Sequence, residues 1–308
     1  MDPARLRLLR ELGDRGSIAA VAAAMGVSAS AVSQQIAALQ AGIPVPLTVK
    51  RGRRLVLTEA GEALAVAATR VEVAFADARD ALGLFLGGDE RPVRVSAFHS
   101  AGLALFGPLL AELGAGPRVS LADADVAQEA FAGLTADYDL VVAHRLAHDP
   151  EWPRQRLVVT PLLVEPLDIA LHAEHPLAAA PSIRLEQLRD ERWISTHDGF
   201  PLAGVLAQLG AMIGQSPRID HRINEFSVAA QVVRAGAGIA VMPRMTAAPL
   251  AVDGMVLRPI IDVPLVRHVD ALARPDAIAL SPVRAVLAAL RTVAARAAAG
   301  TSDATGGR

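Results

Sequence analysis

Leu6, Leu9 and Leu12 recur at intervals of three, which predicts a first helix over 3–13 with one apolar side. Ser17 opens a second helix over 17–25, in which Ile18, Val21, Ala22 and Met25 keep the i, i+3, i+4, i+7 spacing. Gly26 supplies a tight turn, and Ser28 caps a third helix whose hidden side carries Val32, Ile36 and Leu39. The opposite side holds Ser30, Ser33, Gln34 and Ala37, with no charge at all. A solvated helix ordinarily spends such positions on Glu and Lys, so this face reads as one kept clear for something to lie against it. Pro44 and Pro46 end helicity, and LTVKRGRRLVLT over 47–58 reads as a hairpin turning at Arg51-Gly52-Arg53.

Thr58 caps the next segment, with Glu59 and Glu62 near the positive end of the helix dipole. Leu64, Ala68, Val71, Phe75, Ala78, Leu82 and Phe85 then alternate steps of four and three. That heptad seam asks for a partner helix and predicts dimerisation along a rod of about 43 Å between Thr58 and Leu86. Gly87-Gly88 closes it. From 92 onward short apolar runs alternate with helical ones: VRVSAF, 100–113, RVSLAD, 125–136, YDLVVAH, then LDIALHA, RWIS, 200–213, 226–236 and GIAVMP. An apolar run near 256–262 and a helix over 282–298 follow, and the tail 299–308 is expected to be flexible. The alternation predicts an α/β body of parallel sheets flanked by helices, in two lobes.

Charge changes the picture more than composition does. Residues 1–58 carry eight basic against three acidic groups, a net +5, while the other 250 residues carry a net −7. The division predicts a polyanion-binding head on an acidic body. With no cysteine, disulfides and thiolate metal sites are excluded. Asp2 and the lack of an early apolar run argue against a secretory signal, no apolar stretch is long enough to span a bilayer, and a cytoplasmic location is expected.

Two short helices joined by a glycine turn make a helix-turn-helix, and the DNA major groove accepts one helix whose leading side chains are small and not acidic. Ser28, Ser30 and Ser33 suit phosphate or base contacts there, and Gln34 can pair with adenine. The neighbouring hairpin offers Lys50, Arg51, Arg53 and Arg54 as a wing for the DNA backbone or minor groove.

SIAAVAAAMGVSASAVSQQIAALQ and VPLTVKRGRRLVLTEAGEAL resemble the N-terminal region of LysR-type transcriptional regulators. LHAEHPLA, the tryptophan of RWIS and AAQVVRAGAGIAVMP resemble that family's effector domain. The resemblance covers about residues 3–295 and departs at QAGIPVP, with Pro44 where glycine is common, and at Thr48, where an aromatic is usual. It implies a winged helix-turn-helix over 1–58, a dimerising linker helix over 59–88 and a periplasmic-binding-protein-like effector domain over 89–298. Lobe one would be about 92–161 and 266–296, and lobe two about 162–265. It further implies a homotetramer of dimers, with double-stranded DNA, a small-molecule effector and RNA polymerase as partners, no membrane and no cofactor.

By position, Ser100 and Thr196 match hydroxyls that hold effectors in the family, and His144, His197 and Phe226 are further candidates in the cleft. Enzyme readings are weaker. His144 and His148 stand four apart but follow a predicted strand, with no glutamate to complete a zinc motif. No nucleophile elbow or phosphate loop occurs, and AGAGIAV precedes a strand instead of following one. The alternative is a small-molecule-binding protein or enzyme whose N-terminal helices only serve assembly.

Overall fold

The computed structural model describes residues 1–52, 54–85, 91–200, 202–250 and 253–304. The N-terminal head is three helices and a hairpin. α1 (Pro3–Arg15) is capped by the Asp2 carboxylate and ends at Gly16 in the left-handed conformation. α2 (Ile18–Met25) takes its cap from Ser17, and α3 (Ala29–Gln40) from Ser28, whose Oγ accepts from the Ala31 N–H. Gly26, at φ +64°, turns the chain so that α2 and α3 meet at 110°. Their apolar faces close over Leu9, Leu12, Val21, Val32, Ile36 and Leu39. β1 (Thr48–Arg51) pairs antiparallel with β2 (Arg54–Leu57), and the turn between them includes Arg53, outside the described residues.

The proline-bearing loop before β1 has few amides of its own to donate. Gln40 substitutes for them: its Nε2 donates to the carbonyls of Ile43 (3.1 Å) and Val45 (2.9 Å), and its Oε1 accepts from the Leu47 N–H (2.7 Å). The wing entry that departs from the family pattern is thus held by one amide side chain.

α4 (Glu59–Phe85) follows, with Thr58 Oγ1 accepting from the Gly61 N–H. A Cβ at Gly61 would lie 2.0 Å from the Leu47 carbonyl oxygen, so only glycine lets the helix start against the wing strand. Leu64, Ala68 and Val71, the first half of the heptad seam, pack onto the head's own core. Those three positions, read as part of a dimer seam, thus meet apolar neighbours within the chain, with Leu64 and Val71 still partly exposed. Phe75 and Leu82 remain 51% and 58% exposed, Ala78 is exposed beside them, and the Phe85 side chain and Gly87-Gly88 lie outside the described residues.

The body begins with β3 (Val93–Ala97), α5 (His99–Leu113), β4 (Val119–Asp123), α6 (Phe131–Leu134) and β5 (Leu140–Leu146). The helix expected over 125–136 is only a 3-10 turn at Gln128–Ala130 followed by the single turn of α6. β6 (Val158–His172), β7 (Arg192–Ser195), α7 (Ala203–Ile213), β8 (Arg218–Arg222), α8 (Phe226–Arg234), β9 (Ile239–Pro243) and β10 (Met255–Arg258) follow. β11 (Val266–Ala273), α9 (Pro275–Ile278) and α10 (Ser281–Ala304) end the chain. Helix α10 continues past 298 to Ala304, where a flexible tail was expected; residues 305–308 lie outside the described residues.

Among the described residues, nine body strands form one sheet path, β4-β3-β5-β11-β6-β9-β7-β8, with β10 on β6. β3 pairs parallel with β4 and β5, and β7 pairs parallel with β8 and β9, as alternation predicts for each lobe. Between the lobes the pairing is antiparallel. β6 pairs with β11 up to Pro166 and with β9 from Leu167, so two long strands carry the chain across. One core surrounds Phe98, Leu105, Leu140 and Leu290; others surround Ile169, Trp193 and Leu209, and Ala230 and Met242.

Head and body meet through charge. Arg274, just past β11, donates to Glu11 (2.6 Å) and Asp14 (2.6 Å), and Arg10 donates to Asp276 (2.8 Å). Arg15 donates to the Ala136 carbonyl (2.7 Å), and Arg156 pairs with Asp14 and Glu62. Burial alone would raise the Glu11 carboxyl, but Arg274 and Arg15 outweigh it and hold the group below its ordinary value. Further along α4, Asp80 accepts from the Ser281 N–H (2.6 Å) and its hydroxyl, capping α10.

Candidate functional site

The first candidate surface is α3 with the wing. Val32, Ile36 and Leu39 are buried, and the i, i+3, i+4, i+7 face of Ser30, Ser33, Gln34 and Ala37 is exposed, as the spacing predicts. Ser28 is exposed too, and its hydroxyl also caps α3, bonded to the Ala31 amide and to Ser30 Oγ (2.9 Å). Lys50, Arg51 and Arg54 are exposed on the hairpin and make no ion pair among the described residues, and Arg51 stands directly across from Arg54. Arg53, the fourth cation, lies outside the described residues. A neutral, small-residue helix face beside unpaired cations can approach a polyanion closely without like-charge repulsion.

The second candidate is the cleft between the lobes. Ser100, His144, Thr196 and Phe226 line it together, although they come from the start of α5, from β5, from the loop after β7 and from the start of α8. His197 does not: its side chain is exposed outside the cavity, and only its backbone N–H is used, donating to Asn224 Oδ1 (2.8 Å). Next to a cleft residue on an extended segment, the side chain points the other way.

The floor of the cleft is a buried ion pair absent from the sequence expectations. Arg267 on β11 and Glu165 on β6 are 1% and 0% exposed, with Arg267 Nε donating to Glu165 Oε2 at 2.8 Å. Glu165 Oε1 also accepts the N–H groups of Met245 (2.8 Å) and Thr246 (2.5 Å). Arg267 Nη2 donates to Ser100 Oγ (3.1 Å) and Thr246 Oγ1 (2.5 Å), and the guanidinium sits 4.8 Å from the Phe98 ring centre. Both lobes therefore converge on one guanidinium.

His144 packs edge-on against Phe98 (4.4 Å) and Phe131 (5.6 Å). Burial, and then the Arg267 charge, push its imidazole well below the ordinary value, so it is neutral. Its Nδ1 and Thr196 Oγ1 are buried without a hydrogen-bond partner among the described residues. His148, four residues on, is half exposed in the turn after β5, so the pair shares no helix face.

A helix-turn-helix head on a long helix, joined to a two-lobed body with an inter-lobe cleft, is the architecture of a transcriptional regulator. Residues 3–62 match the family described as "Bacterial regulatory helix-turn-helix protein, lysR family", and residues 86–295 match "LysR substrate binding domain". The chain belongs to the LysR family of transcriptional regulators. The Small neutral protease regulatory protein of Streptomyces coelicolor is 32% identical over 247 residues, covering 75% of this chain and 70% of that protein. A full-length OxyR variant from Pseudomonas aeruginosa shares the fold with a TM-score of 0.65 at 20% identity, over 96% of this chain and 94% of that one. CbnR in complex with its target DNA has a TM-score of 0.51 at 20% identity, over 96% and 100%. These relatives are regulators, not enzymes. Among the described residues no single helix is long and apolar enough to cross a membrane.

Proposed function

We propose that the chain binds double-stranded DNA as a dimer or tetramer, reading bases with α3 and gripping the backbone with the wing, under control of a small molecule in the inter-lobe cleft. The carrying observation is the uncharged exposed face of Ser30, Ser33, Gln34 and Ala37 beside unpaired Lys50, Arg51 and Arg54. Head 1–58, linker 59–88 and body 89–298 divide the work, with lobe one about 92–161 and 266–296 and lobe two about 162–265. Phe75, Ala78 and Leu82 supply the self-association face, and Ser100, Thr196, His144 and Phe226 line the effector site. CbnR has been solved with its target DNA, which supports this use of the head.

Effector affinity must differ between two lobe arrangements for ligand to act, and RNA polymerase access to the promoter is the expected output. The test is an electrophoretic shift with DNA upstream of the gene, repeated at rising salt. Six to ten phosphate contacts would cost on the order of 10³–10⁵ in affinity between about 50 and 200 mM salt. A salt-insensitive shift, or none, refutes the reading. Gln34→Ala should reduce discrimination between sites by about 1–3 kcal/mol, whereas Arg54→Ala should weaken all DNA alike and flatten the salt slope.

A further inference from the structure

We propose that the inter-lobe cleft recognises a free amino acid, its carboxylate at the uncapped start of α5 and its ammonium group between Asp125 and Glu225. The inference rests on the effector reading above and names the ligand class.

The carboxylate end is set by α5. Phe98 occupies its N-cap position and offers no side-chain acceptor, so the first amides of a fifteen-residue helix lack the side-chain cap that Ser17 and Ser28 give α2 and α3. Those amides, with the helix dipole and the Arg267 guanidinium behind Ser100, favour a negative group.

The ammonium end is set by an excess of carboxylates. Asp125 lines the cavity and makes no hydrogen bond or ion pair among the described residues. Glu225 also lines it; its Oε1 accepts the Ser227 N–H (3.1 Å) and its Oε2 lies 3.3 Å from His99, which it shares with Asp123 at 3.2 Å. Three carboxylates thus gather about one imidazole, the further positive group of the cavity, Arg267, being already paired with Glu165. The Asp125 carboxyl is raised above its ordinary value, first by partial desolvation and then by Glu225, which together outweigh the opposing pull of His99 and Arg267.

A ligand with a carboxylate alone would meet the repulsion of Asp125 and Glu225, and an amine alone would leave the α5 amides open. Independently of charge, His144 and Thr196 line the same cavity, and their Nδ1 and Oγ1 are buried without a hydrogen-bond partner among the described residues, His144 being 4% exposed. They are donors or acceptors waiting for a polar ligand.

The test is a thermal-shift titration of the full-length protein with each proteinogenic amino acid, its decarboxylated amine and its deaminated 2-oxo acid. The expected result is a saturable rise in Tm with at least one amino acid, and binding weaker by on the order of tenfold or more for the matching amine and 2-oxo acid. Asp125→Asn should weaken the amino acid and strengthen the 2-oxo acid, because one change removes both an attraction and a repulsion. Asp125 is exposed, so this variant is expected to fold as the parent does. The proposal is overturned if no amino acid raises Tm, if the 2-oxo acid or amine binds as tightly as its amino acid, or if Asp125→Asn shifts both in the same direction. If a 2-oxo acid binds tightly and Thr196→Val abolishes that binding, the ligand class fails while the cleft stands as the effector site.

Discussion

Removing one partner of the Glu165–Arg267 pair should destabilise the body far more than removing both. Glu165→Leu leaves a guanidinium that is 1% exposed without a counter-charge, and strips acceptors from the Met245 and Thr246 amides. A buried pair broken from one side costs about 3–5 kcal/mol. Arg267→Leu leaves the carboxylate, but the two amides still donate to it, so its cost should fall at the lower end of that range. In the double variant no charge is stranded. The two amides lose their acceptor at about 1–3 kcal/mol each, partly offset by the apolar contacts the leucines make. The expected order of cost is Glu165→Leu above Arg267→Leu, with the double variant below the sum of the two by about 2 kcal/mol or more.

Urea unfolding followed by tryptophan fluorescence reads this well. The chain has two tryptophans: Trp152 is buried in the first-lobe core and Trp193 in the second, so the signal comes from the body. Of a typical domain stability of about 5–15 kcal/mol, the Glu165→Leu loss is a large part and should move the midpoint clearly. If the double variant is as unstable as the sum of the singles, the two charges do not compensate each other and the reasoning fails.

Gln40→Ala removes three hydrogen bonds that hold the wing entry and should cost the head about 2–3 kcal/mol, seen as earlier loss of helical circular dichroism and weaker DNA binding; Gln40→Glu should rescue little, since it cannot donate to the Ile43 and Val45 carbonyls. Gly61→Ala drives a methyl into the Leu47 carbonyl and should cost at least the upper end of about 1–3 kcal/mol; unchanged stability would mean α4 does not start against the wing. His144 is held neutral in the fold, so its unfolded form gains a proton as pH falls through about 6.5 while the folded form does not. Body stability should therefore drop on acidification below about pH 6.5, and His144→Phe should reduce that drop in urea midpoints taken across the range. Glu11 acts lower: its stabilising charge is present above the ordinary glutamate value of about 4.3 and is lost as pH falls through the depressed folded value, so limited proteolysis between head and body should accelerate only below about pH 4.

What was legible in the sequence is what the chain decides locally. Ser17, Ser28 and Thr58 cap the helices they precede because a cap needs only the next three residues. The exposed face of α3 follows from helical periodicity alone. β8 and β11 were missed, since RIDHR has Ile219 as its one apolar residue and VRHVDALA places Arg267 and Asp270 where an apolar residue would mark a strand interior. Those buried charges are tolerable only because Glu165 lies 102 residues away in sequence and Trp152 donates to Asp270 from 118 away, separations no local pattern reports. Heptad spacing named the apolar stripe of α4 but not its partner, and half of that stripe turned to the head. The alternation of runs put a longer helix at 125–136 than forms, and Asp125, which lines the cleft, was hidden in that expectation.

Gly61 welds the start of α4 to the wing strand, and Asp80 clamps the same helix to α10 near its other end. Each residue of a helix turns the chain by roughly 100° and advances it about 1.5 Å. A one-residue insertion between these anchors would swing head and body a quarter-turn or more out of alignment, whereas seven residues would nearly restore it, with a drift of about 20°. The connecting rod can thus change length only in near-whole turns, like a screw thread, which makes insertions in 62–79 a sterner constraint on this chain than substitutions along its surface.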